Sequence, residues 1–315
     1  MENITVEEPS SGSSCDFARC WTVALQVTLL GLISAVGTFS NSLVILAIFL
    51  YDDLRTKAKS FVCNLAVADL ILCLFVIPLR TMMMFARQPF GLCHVTVVAQ
   101  ATFVYTSINT LAAISYNRFV LTMKTRSQYE NTFTKRNVFL ILSTVWCLAF
   151  GASFMAVMWT GALNVTYDNK TRACVFLRGN ATISALLMVP LSLLFSPLLL
   201  TLYFYARIFY YARHSAVSVT GHRPDDISFT YKLCCITILF GILNFPACIL
   251  AVVQVFSSPD ANEVLIRFSI IIQLLNSAVN PVIYGWKVPK FRNAFIRMLR
   301  LNACCNRAAV QPINH

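Results

Sequence analysis

The sequence of 315 residues predicts an all-α membrane protein, a seven-transmembrane helix bundle with a short amphipathic eighth helix at the inner membrane surface. Composition is the first reason: 57% of the residues are hydrophobic and 12% are charged, about half the charged share of a typical soluble domain. The other two reasons are the length of the uncharged stretches and the segregation of basic residues to one side. Together these exclude an ordinary soluble enzyme, a disordered chain and a disulfide scaffold.

Seven stretches of the chain are long enough to span a bilayer. A spanning helix needs about 20 largely apolar residues, because its backbone must satisfy its own hydrogen bonds there. Asp69 is the only Asp, Glu, Lys or Arg in these stretches, which are residues 21–51, 60–79, 95–117, 137–167, 180–206, 233–259 and 268–286. We therefore assign residues 21–286 to the bundle and residues 1–20 to an N-terminal segment. That segment lacks the signal-peptide pattern, so we expect the first span to act as the insertion signal.

A basic amphipathic segment, residues 287–303, follows the seventh span and is predicted to lie along the inner membrane surface. Residues 304–315 form a short cytoplasmic tail. The tail begins with Cys304 and Cys305. Cysteines in this juxtamembrane position are candidates for palmitoylation.

The distribution of basic residues predicts the orientation. With the N-terminus outside, the inner segments hold 18 basic and 5 acidic residues and the outer segments hold 7 of each, as the positive-inside rule requires. Four Asn-x-Ser/Thr glycosylation patterns all fall on the outer side, at Asn3, Asn164, Asn169 and Asn180. We therefore expect a multi-pass plasma-membrane protein with an extracellular N-terminus, whose basic face meets anionic lipid and not nucleic acid.

Four of the twelve cysteines lie on the predicted outer side. Cys93 begins the third span and Cys174 lies in the second outer loop, so both are in an oxidising compartment and a disulfide between them is expected. Cys15 and Cys20 are a second outer pair. No Cys/His spacing suggests a zinc site.

One recognisable motif stands on each span, in a fixed order. The motifs are Asn41, Leu65-Ala66-Val67-Ala68-Asp69-Leu70, Asn117-Arg118-Phe119, Trp146, Pro197 with Tyr205, Phe240 with Pro246, and Asn276-Ser277-Ala278-Val279-Asn280-Pro281-Val282-Ile283-Tyr284. With this set the chain resembles a rhodopsin-like (class A) G protein-coupled receptor over nearly its whole length. The resemblance implies that an extracellular ligand shifts the bundle between two states and that a heterotrimeric G protein responds.

Two other functional classes are alternatives to a receptor. An enzyme is not expected, because the sequence has no nucleophile-elbow, zinc or phosphate-loop motif. A multi-span transporter or channel is the alternative from a different class. It would show internal repeats, paired broken helices or several charges within the membrane, whereas Asp69 is the one clear acid there.

A charge in mid-membrane is expensive and therefore functional by default. The resemblance implies that Asp69, with Ser107, Asn276 and Ser277, holds a sodium ion that favours the inactive state. No other cofactor is expected. Phe103, one turn before Ser107, departs from the polar residue that many receptors of this kind have there.

The resemblance also assigns a set of activation residues. Arg118 is expected to engage the G protein, and the usual acid before it is replaced by Asn117. An Asn-Arg pair is also a point of resemblance to melatonin receptors and to a group of insect orphan receptors. Asp226 is the candidate lock partner of Arg118. The full set is Asn117, Arg118, Tyr205, Asp226, Pro246, Asn280, Pro281 and Tyr284.

The sequence lacks the residues that two ligand classes, amines and retinal, would need. Gln100 replaces the Asp of amine receptors and Leu274 replaces the Lys that holds retinal, so neither ligand is expected. Arg80, two residues after Pro78, stands among apolar residues and could pair with an anionic headgroup; snorkelling or pairing with Glu263 or Asp260 is the alternative. An acidic lipid or amphiphile is the first expectation and a peptide the second. The candidate ligand residues are Arg80, Gln100, Phe103, Val104, Arg172, Asn244 and Arg267.

Overall fold

The computed structural model describes residues 17–52, 57–85, 92–158, 165–168, 173–176, 181–214, 234–235, 237–247, 249 and 263–308. Helices account for nearly all of them. The spans, in order, are Phe17–Leu50, Lys57–Met83 in three parts, Leu92–Met123, Lys135–Met158, Ala181–His214, Thr237–Ala247 within the sixth, and Glu263–Lys287. In the described part of the chain, five helices are long and apolar enough to cross a membrane: Trp21–Leu50, Lys59–Met83, Leu92–Met123, Lys135–Met155 and Arg267–Lys287. The all-α prediction is confirmed.

The second span changes its helical winding around Pro78. An α-helix, Lys57–Ile71, passes through a π-helical turn, Leu72–Val76, into a second α-helix, Ile77–Met83. Within the turn the backbone N–H of Ile77 donates to the carbonyl of Leu72, five residues back. The extra residue in this turn rotates the following helix, Ile77–Met83, by roughly 100° relative to the part of the span that carries Asp69. The sequence pattern does not predict this turn.

The first helix lies unusually close to the second and seventh. Gly37 makes this approach possible, because a Cβ there would collide with the Sγ of Cys73 and lie 3.5 Å from the Cβ of Ala278. On the same stripe, Ser34 Oγ donates to the carbonyl of Cys73 at 2.7 Å. In the π-turn pattern that carbonyl would be paired with residue 78, a proline without an N–H. A side chain of the first helix therefore replaces the missing backbone donor.

The third span is the central helix, in contact with the second, fourth and fifth. A chain of hydrogen bonds reaches its C-terminal half: Trp146 Nε1 donates to Asn64 Oδ1 at 2.9 Å, and Asn64 Nδ2 donates to Thr110 Oγ1 at 2.9 Å. The main hydrophobic core surrounds this region and includes the fully buried rings of Phe61, Phe133 and Phe240. The motif tryptophan therefore joins the fourth span to the second.

An antiparallel β-hairpin, Val165–Asp168 with Ala173–Phe176, follows the fourth span. Here the structure differs from the sequence analysis, which extended the uncharged fourth stretch to residue 167, whereas the helix ends at Met158. The absence of charge alone does not distinguish a helix from a strand. Tyr167 pairs in register with Cys174, and Cys174 is disulfide-bonded to Cys93 at the start of the third span.

The final helix is Pro289–Ala308, joined to the seventh span at Val288. Its buried face repeats at helical spacing through Phe291, Ala294 and Met298. The positions between them are exposed except for Phe295, which is half-buried against the core, as expected for a helix lying on a membrane surface. The helix runs beyond the predicted end at residue 303. The backbone of Cys304 and Cys305 is therefore helical. Their side chains lie outside the described part.

Candidate ligand and transducer sites

Asp69 is the centre of a buried polar site that joins three helices. Its side chain is fully buried. Ser107 Oγ, from the third span, donates to Oδ1 at 3.1 Å, and Asn280 Nδ2, from the seventh, donates to Oδ2 at 2.9 Å. Ser277 also lies beside the carboxylate. Hydrogen-bond donors thus compensate for the burial of this carboxylate.

Of the three residues predicted to hold sodium together with Asp69, Ser107 and Ser277 contact its carboxylate. Asn276 is buried, but it makes no hydrogen bond to Asp69 among the described contacts. Asn280, which the sequence assigned to activation, donates a hydrogen bond to a carboxylate oxygen of Asp69 instead. The oxygens of Asp69, Ser107 and Ser277 are the hard ligands that a small cation prefers, so the residues present fit such an ion. Phe103 adds no ligand, since its ring packs edge-to-face on Trp146 at 5.8 Å.

Asn41 connects this site to the first helix. Its Nδ2 donates to the carbonyls of Gly37 and of Ser277, both at 2.9 Å. Pro281 lies inside the seventh helix. Because a proline has no N–H, the carbonyl four residues earlier, at Ser277, has lost its helical partner. Asn41 supplies the replacement, and the seventh helix remains continuous through the proline.

At the C-terminal end of the third span, Asn117 and Arg118 are both buried. Asn117 Nδ2 donates to the hydroxyl of Tyr129 at 3.3 Å. Tyr129 belongs to a short helix, Arg126–Thr132, that begins with a capping box between Thr125 and Gln128. Asn117, which stands in place of the usual acid, therefore holds the segment between the third and fourth spans against the bundle.

An aromatic cluster reinforces that contact. Tyr129 packs on Phe133 with ring centroids 5.4 Å apart, and Phe133 meets Phe61 edge-to-face at 6.1 Å and Tyr116 at 5.7 Å. Sequence reasoning did not identify Tyr129 or Phe133. In the sequence Tyr129 resembles an exposed loop residue, and only the fold shows that it lies beside Asn117.

The two activation tyrosines are also buried at this end. Tyr205 hydrogen-bonds with Thr237 of the sixth span. Tyr284 stacks on Phe291 of the final helix with ring centroids 5.6 Å apart. Pro246 lies in the described helix Thr237–Ala247. Asp226 is outside the described residues, so the Arg118–Asp226 pair stays a prediction.

A second polar network lies at the other end of the bundle. Arg80 is buried, with 8% of its surface exposed. Its Nη1 donates to Gln100 Oε1 at 2.9 Å, and Gln100 Nε2 donates to Gln273 Oε1 at 3.0 Å. The network links the second, third and seventh spans. Arg80 and Gln100 were predicted as ligand residues from sequence, whereas Gln273 was missed because an isolated mid-span glutamine resembles a packing residue.

The other predicted ligand residues are dispersed. Val104 belongs to the hydrophobic core. Asn244 is buried and donates to the carbonyl of Phe240 on its own helix at 2.9 Å. Arg267 is buried near the first helix, with Nη1 3.4 Å from Thr22 Oγ1. Arg172 lies outside the described residues, as do the four glycosylation sites, Cys15 and Asp260.

The sequence matches the 7 transmembrane receptor (rhodopsin family) over residues 40–284. Similar proteins include the allatostatin-A receptor of Bombyx mori, 26% identical over 94% of this chain and 88% of that protein, and the adenosine receptor A3 of Ovis aries, 25% identical over 91% and 93%. The human type-1 angiotensin II receptor is 29% identical over 87% of this chain and 80% of its own.

The fold and its buried polar sites are those of a seven-helix membrane receptor. The chain belongs to the rhodopsin family of 7 transmembrane receptors, which confirms the resemblance found in the sequence and the seven-helix bundle. It is a multi-pass membrane protein and a ligand-binding G protein-coupled receptor, not an enzyme. The transporter alternative is not supported.

Proposed function

We propose that this receptor responds to a ligand with an anionic group, an acidic lipid or amphiphile, and that Arg80 binds that group. The observation that carries the proposal is the Arg80–Gln100–Gln273 network. A buried cation is costly unless it is paired, and Arg80 has no carboxylate partner among the described residues. An anionic headgroup would supply one.

The hydrogen-bonding capacity of the network favours the same ligand class. Arg80 has five N–H donors, and the described bonds use one of them. Gln100 accepts from Arg80 and donates to Gln273, whose own Nε2 remains available as a donor. The three side chains therefore offer an excess of donors. A carboxylate or phosphate accepts several such bonds at once.

A peptide is the second candidate. Two of the similar proteins, the allatostatin-A receptor and the angiotensin II receptor, carry the names of peptides, whereas adenosine is a small molecule. A peptide could present an acidic side chain or its terminal carboxylate to Arg80. Its remaining contacts would fall on the outer loops, including the hairpin that Cys93 and Cys174 hold in place.

The inner half of the bundle would transmit the signal. A sodium ion bound by Asp69, Ser107 and Ser277 would stabilise the inactive arrangement, with Asn276 as a further predicted ligand. Ligand binding would release it and move the inner ends of the fifth and sixth spans, where Tyr205 and Pro246 lie. Arg118 would then engage a heterotrimeric G protein. Palmitoylation at Cys304 and Cys305 would hold the final helix at the membrane.

The orientation belongs to the same proposal, with the N-terminus extracellular and the receptor in the plasma membrane. The disulfide supports it, because Cys93 and Cys174 must meet in an oxidising compartment, and the basic segments lie at the opposite end. Glycosylation at Asn3, Asn164, Asn169 or Asn180 would fix the direction. Loss of a glycosidase-sensitive mass in a variant lacking all four would be the direct measurement.

The test is G protein nucleotide exchange in membranes carrying the intact receptor, Arg80→Ala or Arg292→Ala. Fatty acids, lysophospholipids and acidic peptides would be titrated on each. We expect an acidic amphiphile to activate the intact receptor and Arg80→Ala to weaken its potency about 10- to 100-fold, the value of one charged hydrogen-bonded contact. Arg292, an exposed arginine of the final helix, is the matched control and should leave potency unchanged.

Unchanged potency in Arg80→Ala would overturn the anionic-group assignment. Activation by peptides alone, with loss of potency in Arg80→Ala, would replace the amphiphile with the peptide candidate. Equal response in a receptor with Arg118→Ala would contradict the proposed role of Arg118 in G protein activation.

A further inference from the structure

The guanidinium of Arg80 has one nitrogen bonded and one whole edge without a partner among the described residues. Nη1 donates to Gln100 Oε1 at 2.9 Å. On the opposite edge, Nε–H and one N–H of Nη2 point in the same direction and form the fork that binds anions. Neither nitrogen is among the fully enclosed unpartnered atoms of the described residues. This edge therefore keeps some accessible surface, although the whole side chain is only 8% exposed.

The two glutamines beside Arg80 hold its side chain in place without neutralising it. An arginine can only donate hydrogen bonds, so Gln100 must present its carbonyl oxygen to Arg80. The amide nitrogen of Gln100 then donates to Gln273 Oε1 at 3.0 Å. The oriented amide dipoles offset part of the cost of burying the guanidinium, but they carry no net charge. The network therefore retains an unbalanced positive charge.

The network lies close to the disulfide-bonded end of the bundle. Arg80 is three residues from the end of the helix Ile77–Met83, and Gln100 is eight residues from the start of the helix Leu92–Met123. These separations correspond to about 5 and 12 Å along the helix axes. An ion from the aqueous compartment on this side therefore has only a short distance to travel to Arg80.

We propose that the ligand-free receptor binds a chloride ion at the Nε/Nη2 edge of Arg80. The inference rests on the proposed function in one respect, the assignment of Arg80 as an anion-binding residue, and it adds which anion binds before the agonist does. A buried cation is unfavourable without a counter-charge, and chloride provides one. An agonist with an anionic group would have to displace the ion, so chloride would oppose its binding.

The hydrogen-bonding groups of the site favour a halide over a larger inorganic anion. Chloride accepts N–H bonds from any direction and needs no acceptor, so it suits a site that offers only donors. Bicarbonate and hydrogen phosphate each carry an O–H group that needs an acceptor. The side-chain acceptors of the network, Gln100 Oε1 and Gln273 Oε1, are already engaged by donors.

The test is thermal unfolding of the purified, ligand-free receptor in sodium gluconate that is replaced stepwise by sodium chloride. Constant sodium keeps any cation effect at Asp69 unchanged. We expect a saturable rise of about 3–5 °C in the unfolding midpoint, for chloride at roughly ten times its dissociation constant. Bromide should act in the same way. Arg80→Gln should lose the saturable response, whereas Arg292→Ala, at an exposed arginine of the final helix, should keep it.

A second variant makes the test independent of folding defects at Arg80. Gln100→Glu keeps the size of the side chain and supplies a carboxylate to Arg80 from within the chain, while Gln273 can rotate its amide and donate to the new carboxylate. The variant should have a higher unfolding midpoint than the intact receptor in gluconate and should no longer respond to chloride. A misfolded protein would not become more stable.

The proposal is overturned if chloride does not stabilise the intact receptor. It is also overturned if the response is equal in Arg80→Gln or persists in full in Gln100→Glu, because either result would place the ion elsewhere. The proposed function fails separately: a chloride response that depends on Arg80, in a receptor that no acidic ligand activates, would leave the ion site and remove the agonist assignment. Activation by acidic ligands through Arg80 without any chloride response would do the reverse.

Discussion

Asn41 Nδ2 lies 2.9 Å from the carbonyl oxygen of Ser277, the carbonyl that Pro281 leaves without a helical donor. Ser34 makes the equivalent bond to Cys73 in the second span, next to Pro78. Two proline-disrupted helices therefore each receive a donor from the same stripe of the first helix. Gly37 lies between these donors and allows the approach. The first helix thus supplies a side-chain hydrogen-bond donor to an unpaired backbone carbonyl in each of its two neighbours.

We expect Asn41→Ala to destabilise the receptor through the unpaired carbonyl at Ser277. The cost of such a buried group is about 1–3 kcal/mol. Pro281→Ala should rescue the variant in part, because alanine restores the backbone N–H that Ser277 lacks. Thermal unfolding of the four proteins of this double-mutant cycle measures the effect. Additive losses in the double variant would show that Asn41 does not compensate for Pro281.

Gly37→Ala should also destabilise the receptor, for a steric reason. The added methyl group would collide with Cys73, and overpacking of this kind costs about 1–3 kcal/mol. Gly31→Ala is the matched control on the same helix, since a Cβ there meets no atom within 4 Å; it should be neutral or slightly stabilising. Adding Cys73→Ala to Gly37→Ala should recover most of the loss. A neutral Gly37→Ala would mean that the helices can separate at no cost.

The overall fold could be predicted from the sequence because a lipid environment constrains which segments can span it. Each span must be long and apolar, and an isolated charge such as Asp69 must be satisfied. The motifs on the seven spans, in their fixed order, then identified the family. The ends of elements were harder to predict. The fourth helix ends at Met158 and is followed by a hairpin, whose first strand has no charged residue before Asp168 and so continues the uncharged run.

The polar contacts were the least predictable part. Sequence placed Asn280 among the activation residues and Asn276 beside Asp69, whereas the structure puts Asn280 on the carboxylate. Side chains four residues apart on one helix differ in orientation by only about 40°, so composition cannot decide which one reaches a neighbour. Gln273 and Tyr129 were missed for a related reason, since their partners come from distant segments.

Sodium should weaken agonist binding in the intact receptor and have no such effect in Asp69→Asn. Asparagine keeps the volume and one acceptor, so Ser107 and Asn280 still have a partner, but the charge that holds the cation is gone. Agonist affinity measured in sodium chloride and in N-methylglucamine chloride at equal ionic strength separates the ion from general screening. Ser107→Ala should show an intermediate response. A sodium effect that survives Asp69→Asn would place the ion elsewhere.

Tyr129→Phe should loosen the short helix Arg126–Thr132 without disturbing the bundle. The substitution removes the hydroxyl that accepts from Asn117 and keeps the ring on Phe133. One such bond is worth about 1 kcal/mol, so amide hydrogen exchange in this helix should rise about fivefold. Tyr203→Phe, at a tyrosine 54% exposed on the fifth span, is the control. Equal protection in both variants would assign the loop's position to aromatic packing alone.

Asn117→Asp tests whether the same position controls signalling. The carboxylate can still accept a hydrogen bond, now from the Tyr129 hydroxyl, so the short helix should stay protected. It also places a negative charge directly before Arg118, which the asparagine does not provide. If Arg118 must be released to engage a G protein, the added charge should hold it in the inactive arrangement and lower basal nucleotide exchange, measured at matched surface expression. Basal exchange that stays constant or rises, with the loop helix still protected, would show that Arg118 is not restrained from this position.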